Sequence, residues 1–149
     1  MKKISTPVIV TLLIVLMTAF HSVGQANNLM VISNPKGTLG ELTFAELTSI
    51  MKGEKQRWKD GTLITIALMK SSTSTGEATA KKVYGISGDG LNKYWLALVF
   101  QGKAKAPAFF NSPGDLETFV SQTPGAIGII EDSPAVKTKP MIIDGKKSF

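Results

Sequence analysis

The stretch "LITIALMKSSTSTGEATAKKVYG", Leu63–Gly85, decides how this chain is read. Ile64, Thr65 and Ile66 are β-branched, and the run from Leu63 to Met69 reads as a strand. Polarity then changes abruptly. Lys70 is followed by an unbroken hydroxyl run, Ser71 to Thr75, then by Gly76 and Glu77, and a helix is expected from about Glu77 to Tyr84. A lysine and several hydroxyls at a strand-to-helix junction have two physical readings. Ser and Thr are ordinary helix N-caps. The same groups, with the unpaired N–H groups of a helix start, also form a cradle for a small anion. Lys70 supplies positive charge, Ser71, Ser72, Ser74 and Thr75 supply hydroxyls, and Gly76 permits close approach to the backbone. The stretch is not a phosphate-binding P-loop, because the glycines are missing and the lysine precedes the loop.

Outward from this stretch, strand and helix signals alternate. Leu29 to Ile32 is a short apolar run ended by the turn Asn34-Pro35-Lys36-Gly37. Thr43 with Glu46 three residues on is a capping box, and Phe44, Leu47, Ile50 and Met51 share one helical face. Gly53 ends that helix, and Trp58 is expected to pack in the core. Gly85, Gly88 and Gly90 are expected to break the second helix. A third helix is expected over Leu91–Phe100, with Leu91, Tyr94 or Trp95, Leu98 and Val99 buried. Pro107 to Phe110 suggests a short extended piece. Ser112-Pro113-Gly114-Asp115 is an N-cap, a proline at the first helical position and an acid in the first turn. Ala126 to Ile130 and Met141 to Ile143 read as strands. The class is α/β, with a small mixed sheet flanked by helices.

The beginning of the chain reads differently. Lys2 and Lys3 precede an apolar run from Val8 to Phe20, and Gly24-Gln25-Ala26 offers small residues at a cleavage site. This pattern is that of a secretory signal peptide over residues 1–26, leaving a domain over 27–149 in the periplasm. The alternative is an uncleaved N-terminal anchor. Without Lys2 and Lys3 the formal net charge falls from +6 by two to +4. The remaining lysines are dispersed and form no nucleic-acid stripe. The chain has no cysteine, and its one histidine, His21, lies in the leader. A mature chain without His or Cys cannot assemble a histidine-based triad, a thiolate nucleophile or an ordinary zinc site. These compositions argue against an enzyme and against a metal or cofactor.

Three stretches carry a resemblance. "LTFAELTSIMKGEKQRWKDG" holds Ile50, Gly53 and Trp58 in the pattern I-x-x-G-x-x-x-x-W, "KYWLALVFQGKA" is a Trp-containing helix, and "TPGAIGII" is Thr123–Ile130. Together and in this order they resemble the phosphate ABC-transporter substrate-binding proteins, over roughly Leu29 to Glu131. The resemblance implies a single lobe of a type II periplasmic binding protein, one half of a Venus flytrap, similar to the second lobe of the family. It implies recognition of phosphate or a similar oxyanion at the Lys70 loop. Matched without gaps, Lys70 stands at the family's arginine, Ser74 at its serine, Thr75 at its glycine, Gly76 at its threonine, and Ser72 at an aspartate. Lysine lacks the two-pronged fork of arginine. A lone lobe also leaves the site open, to be completed by a second copy or an envelope partner. The competing reading is a cell-envelope interaction or sensory accessory protein that has lost its ligand.

Overall fold

The computed structural model describes residues 28–37 and 40–149, so the expected leader lies outside the described residues. The elements in chain order are β1 (Leu29–Ser33), β2 (Glu41–Leu42), α1 (Phe44–Met51), β3 (Thr65–Met69) and α2 (Ser74–Thr79). A π-helical turn (Ala80–Tyr84) continues α2, followed by α3 (Gly88–Phe100), β4 (Ala108–Phe110), α4 (Pro113–Gln122), β5 (Ala126–Glu131) and β6 (Pro140–Ile143). The strands form one mixed sheet in the order β2-β6-β1-β5-β3-β4. β3 pairs in parallel with both β4 and β5, and β1 runs antiparallel to β5 and β6.

Helices cover both faces, which is why the strands are apolar nearly throughout instead of alternating. Leu29, Val31, Ile66, Leu68, Ile127 and Ile129 point to one face, under α1, α2 and α3. Met30, Ile32, Ala67, Met69 and Ile130 point to the other, under Leu116 and Val120 of α4. Ile66 and Ile127 are buried and directly opposed in the β3–β5 register. The α/β expectation and the expected strands therefore hold, with β2 added.

The expected caps of α1 and α4 are present. Thr43 and Glu46 form the reciprocal capping box, and the Ser112 hydroxyl accepts the Asp115 N–H with Pro113 at the helix start. Trp58 is buried at 4% exposure. Three expectations are corrected. α2 begins at Ser74, not Glu77, because Thr73 caps it. Only Gly85 breaks the chain, at φ +70, whereas Gly88 and Gly90 lie in the first turn of α3 behind the Ser87 cap. Val99 is 41% exposed and points away from the core stripe of Leu91 and Trp95.

Candidate functional site

The carboxyl end of β3 is the place where an open α/β sheet offers its loops to a ligand. β3 ends at Met69, and the Lys70 N–H donates to the Phe110 carbonyl of β4 at 2.9 Å. The Lys70 side chain is exposed. Thr73 closes the loop behind it: its N–H and its hydroxyl both donate to the Lys70 carbonyl, at 2.9 and 2.7 Å. The same hydroxyl accepts the Gly76 N–H at 3.0 Å. The Gly76 amide is therefore engaged within the loop.

Gly76 is needed for close packing. A Cβ there would lie 2.0 Å from the Lys70 carbonyl oxygen, so only glycine lets the helix start abut the strand end. Thr75 is buried, and its carbonyl accepts the Thr79 hydroxyl at 2.8 Å. Ser74 is exposed. As the first two residues of a helix, Ser74 and Thr75 have amides with no carbonyl one turn earlier to bond to.

The start of α3 meets this loop. Asn92 Nδ2 donates to Ser71 Oγ at 3.0 Å, which leaves the Ser71 hydroxyl hydrogen and the second Asn92 amide hydrogen to point elsewhere. Glu77 Oε2 accepts the Gly88 N–H at 2.9 Å, so a built-in carboxylate occupies the positive end of α3. Glu77 also pairs with exposed Lys81 at 3.4 Å. Two shallow cavities flank Ser71 and Ser72. One, of about 260 Å³, is lined by Lys70, Ser71, Ser72, Asn92 and Phe109. The other is lined by Ser71, Ser72, Glu77, Ser87, Gly88 and Asp89. An anion beside Lys70 and Asn92 meets a cation and amide hydrogens, whereas the second cavity presents two carboxylates.

Of the six residues singled out in the sequence, the structure brings Lys70, Ser71 and Ser72 to one cavity. Ser74 is exposed and lines neither cavity, and Thr75 and Gly76 sit inside the strand–helix joint. Sequence reasoning missed Thr73, Asn92 and Glu77. The signal for Thr73 was local, since it lies one helical turn before Glu77. Asn92 carried none, because it reaches Ser71 only through the packing of α3. Among the described residues, no group of three or more His, Cys, Asp or Glu could hold a metal ion, and no helix is long and apolar enough to cross a membrane.

No protein-family model and no curated protein matches the chain. Solved structures do. An ABC-type phosphate transport receptor from Vibrio cholerae matches at TM-score 0.63 and 19% identity, covering 82% of this chain and 48% of its own. PstS from Borrelia burgdorferi matches at TM-score 0.59 and 20% identity, covering 80% and 48%. A Clostridium perfringens protein solved with bound phosphate matches at 0.61 and 17%, covering 79% and 45%. The chain thus has the fold expected for one binding-protein lobe, and spans about half the length of these structures.

Proposed function

We propose that this chain is an exported, non-enzymatic binding lobe that recognises phosphate or a similar small oxyanion at the Lys70 loop. Residues 1–26 direct it to the periplasm, and residues 27–149 form the binding domain. The observation that carries the reading is the convergence of Lys70, Ser71 and Ser72 on one open cavity beyond the carboxyl end of β3, with Asn92 behind them. It is supported by a fold shared with proteins described as phosphate receptors. Lys70 supplies charge, Ser71 and Ser72 supply hydroxyls, and Ser74 and Thr75 supply first-turn amides. Gly76 acts by letting the helix start reach the strand end. The cavity is open to water on one side, so affinity is low until a second copy or an envelope partner supplies the other wall.

One observation favours a second reading. Thr73 shuts the loop with its own side chain and engages the Gly76 amide, as a purely structural cap would. On that reading the lobe is an interaction or sensory accessory protein of the cell envelope.

Calorimetry and thermal melts with phosphate, sulfate and chloride at matched ionic strength separate the two. Phosphate raises the melting temperature in proportion to its occupancy of the folded state. Lys70→Ala abolishes that shift and leaves the unliganded melt unchanged. Equal responses to all three anions, or a phosphate response that survives Lys70→Ala, would establish the loop as a cap only.

A further inference from the structure

Helix α3 is apolar on two faces. Leu91 and Trp95 enter the core, whereas Leu96, Val99 and Phe100 stand outward at 59%, 41% and 83% exposure. A surface helix ordinarily turns charged and polar residues to solvent opposite its core stripe. Here the outward positions, spaced at i, i+3 and i+4, form a second apolar stripe. It continues into an apolar groove against Ala106 and Phe109.

The rim of this stripe has one sign of charge. Lys93 lies one turn before Leu96, and Lys103 and Lys105 follow the helix end past the left-handed turn at Gly102, all exposed. Between Asp89 and Asp115 the chain has no acidic residue. Glu54, from another segment, acts on Tyr94, on a different side of the helix.

We propose that the outward face of α3 docks on the surface of an anionic lipid bilayer, without spanning it. The chemistry is complementary at both levels. Phe100, Leu96 and Val99 provide aromatic and aliphatic groups for the boundary between headgroups and acyl chains. Lys93, Lys103 and Lys105 have flexible stems that lie along the apolar surface and lift their ammonium groups to lipid phosphates. Neither signal suffices alone, since stable attachment takes an apolar element together with a basic patch. A second copy of this chain is the poorer occupant, because two-fold contact would set the three lysines against their own images. The stripe begins about 12 Å and ends about 18 Å along the helix from Gly88, at 1.5 Å per residue. Asn92 and Phe109 line both this groove and the Lys70 cavity, so the docked face adjoins the Lys70 loop. The inference is independent of what that loop binds.

The test is a site-specific probe, insensitive to whatever the apolar N-terminal segment does. The chain has no cysteine, so Ala97→Cys gives a single attachment point for an environment-sensitive fluorophore beside the stripe. On vesicles containing phosphatidylglycerol, its emission shifts to the blue and is quenched by lipids brominated on the acyl chain. On pure phosphatidylcholine the response is weaker by about fivefold for each lysine engaged. Leu96→Ser with Phe100→Ser weakens it about tenfold or more, with an unchanged melt because both side chains are exposed. Lys103→Gln weakens it on anionic vesicles alone. A label that stays in water on anionic vesicles, or that responds equally to both lipids, would overturn the proposal. So would a blue shift on concentrating the protein without lipid, which would assign the face to a second copy.

Discussion

Trp58 Nε1 donates to the Gly125 carbonyl at 2.9 Å, joining two stretches that lie 67 positions apart in the chain. Gly125 itself has φ +78, and a Cβ there would stand 2.2 Å from the Leu63 carbonyl oxygen. The tryptophan after α1 and the Pro-Gly-Ala-Ile-Gly turn are therefore parts of one joint. It sets where β5 starts beside β3, and so where the β3 loop emerges.

Replacing Trp58 with Ala is expected to cost about 3–5 kcal/mol, since a large buried ring is lost. Trp58→Phe keeps most of the packing and removes one of two donors to the Gly125 carbonyl, which still accepts the Thr65 N–H at 3.2 Å, so the expected loss is smaller, about 0.5–1.5 kcal/mol. Chemical denaturation of both variants checks the order and the size. A Trp58→Phe variant as stable as the parent would mean that the hydrogen bond contributes nothing.

Gly76→Ala places a methyl against backbone, which no rotamer change relieves, and is expected to destabilise by about 1–3 kcal/mol. Gly114 in α4 has no atom within 4 Å of an added Cβ. Gly114→Ala is therefore neutral or stabilising by up to about 1 kcal/mol. Thermal melts of the pair distinguish close packing at Gly76 from a general preference for glycine.

Thr73→Ala removes the side chain that caps α2 and braces Lys70, with an expected loss of about 0.5–2 kcal/mol. It also releases the Gly76 N–H. If the loop recognises oxyanions, the phosphate-induced rise in melting temperature survives in this variant even though the starting stability falls. Loss of both together would show that the cap and the site are inseparable.

Glu77→Gln removes a negative charge from the neighbourhood of Ser71, while the amide oxygen still accepts the Gly88 N–H. Phosphate binding is expected to strengthen about two- to fivefold at low salt, the size of one unit charge acting through largely aqueous surroundings. Added salt should erase the gain. Calorimetry at two ionic strengths reads both effects.

The Thr43 N–H, and next the Thr43 hydroxyl, hold the Glu46 carboxyl below its ordinary value of 4.5. A depressed carboxyl contributes stability that is present above its unfolded value and lost as pH falls through its folded one. The capping box is therefore expected to weaken only below about pH 4.5. An NMR titration should place the Glu46 midpoint below its ordinary value, and Glu46→Gln should flatten this part of the acid limb.

The α/β alternation, the strands at Ile66 and Ile127, the caps at Thr43 and Ser112 and the burial of Trp58 were all legible in the sequence. Each depends on neighbours within a few positions: periodicity, a hydroxyl before an apolar face, a turn dipeptide. Tertiary structure decided the rest. α3 begins at Gly88 despite the low helix propensity of Gly88 and Gly90, because the Ser87 hydroxyl accepts the Gly90 N–H and Glu77, from the preceding helix, accepts the Gly88 N–H. Val99 fits the apolar period but points outward, since a helix with two apolar faces does not reveal in its own sequence which one meets the core. Asn92 joins Ser71 only once α3 is packed beside the loop. Helices and caps are local free-energy balances and can be read along the chain. A binding surface is a juxtaposition of distant segments, and long-range packing determines which groups remain facing water.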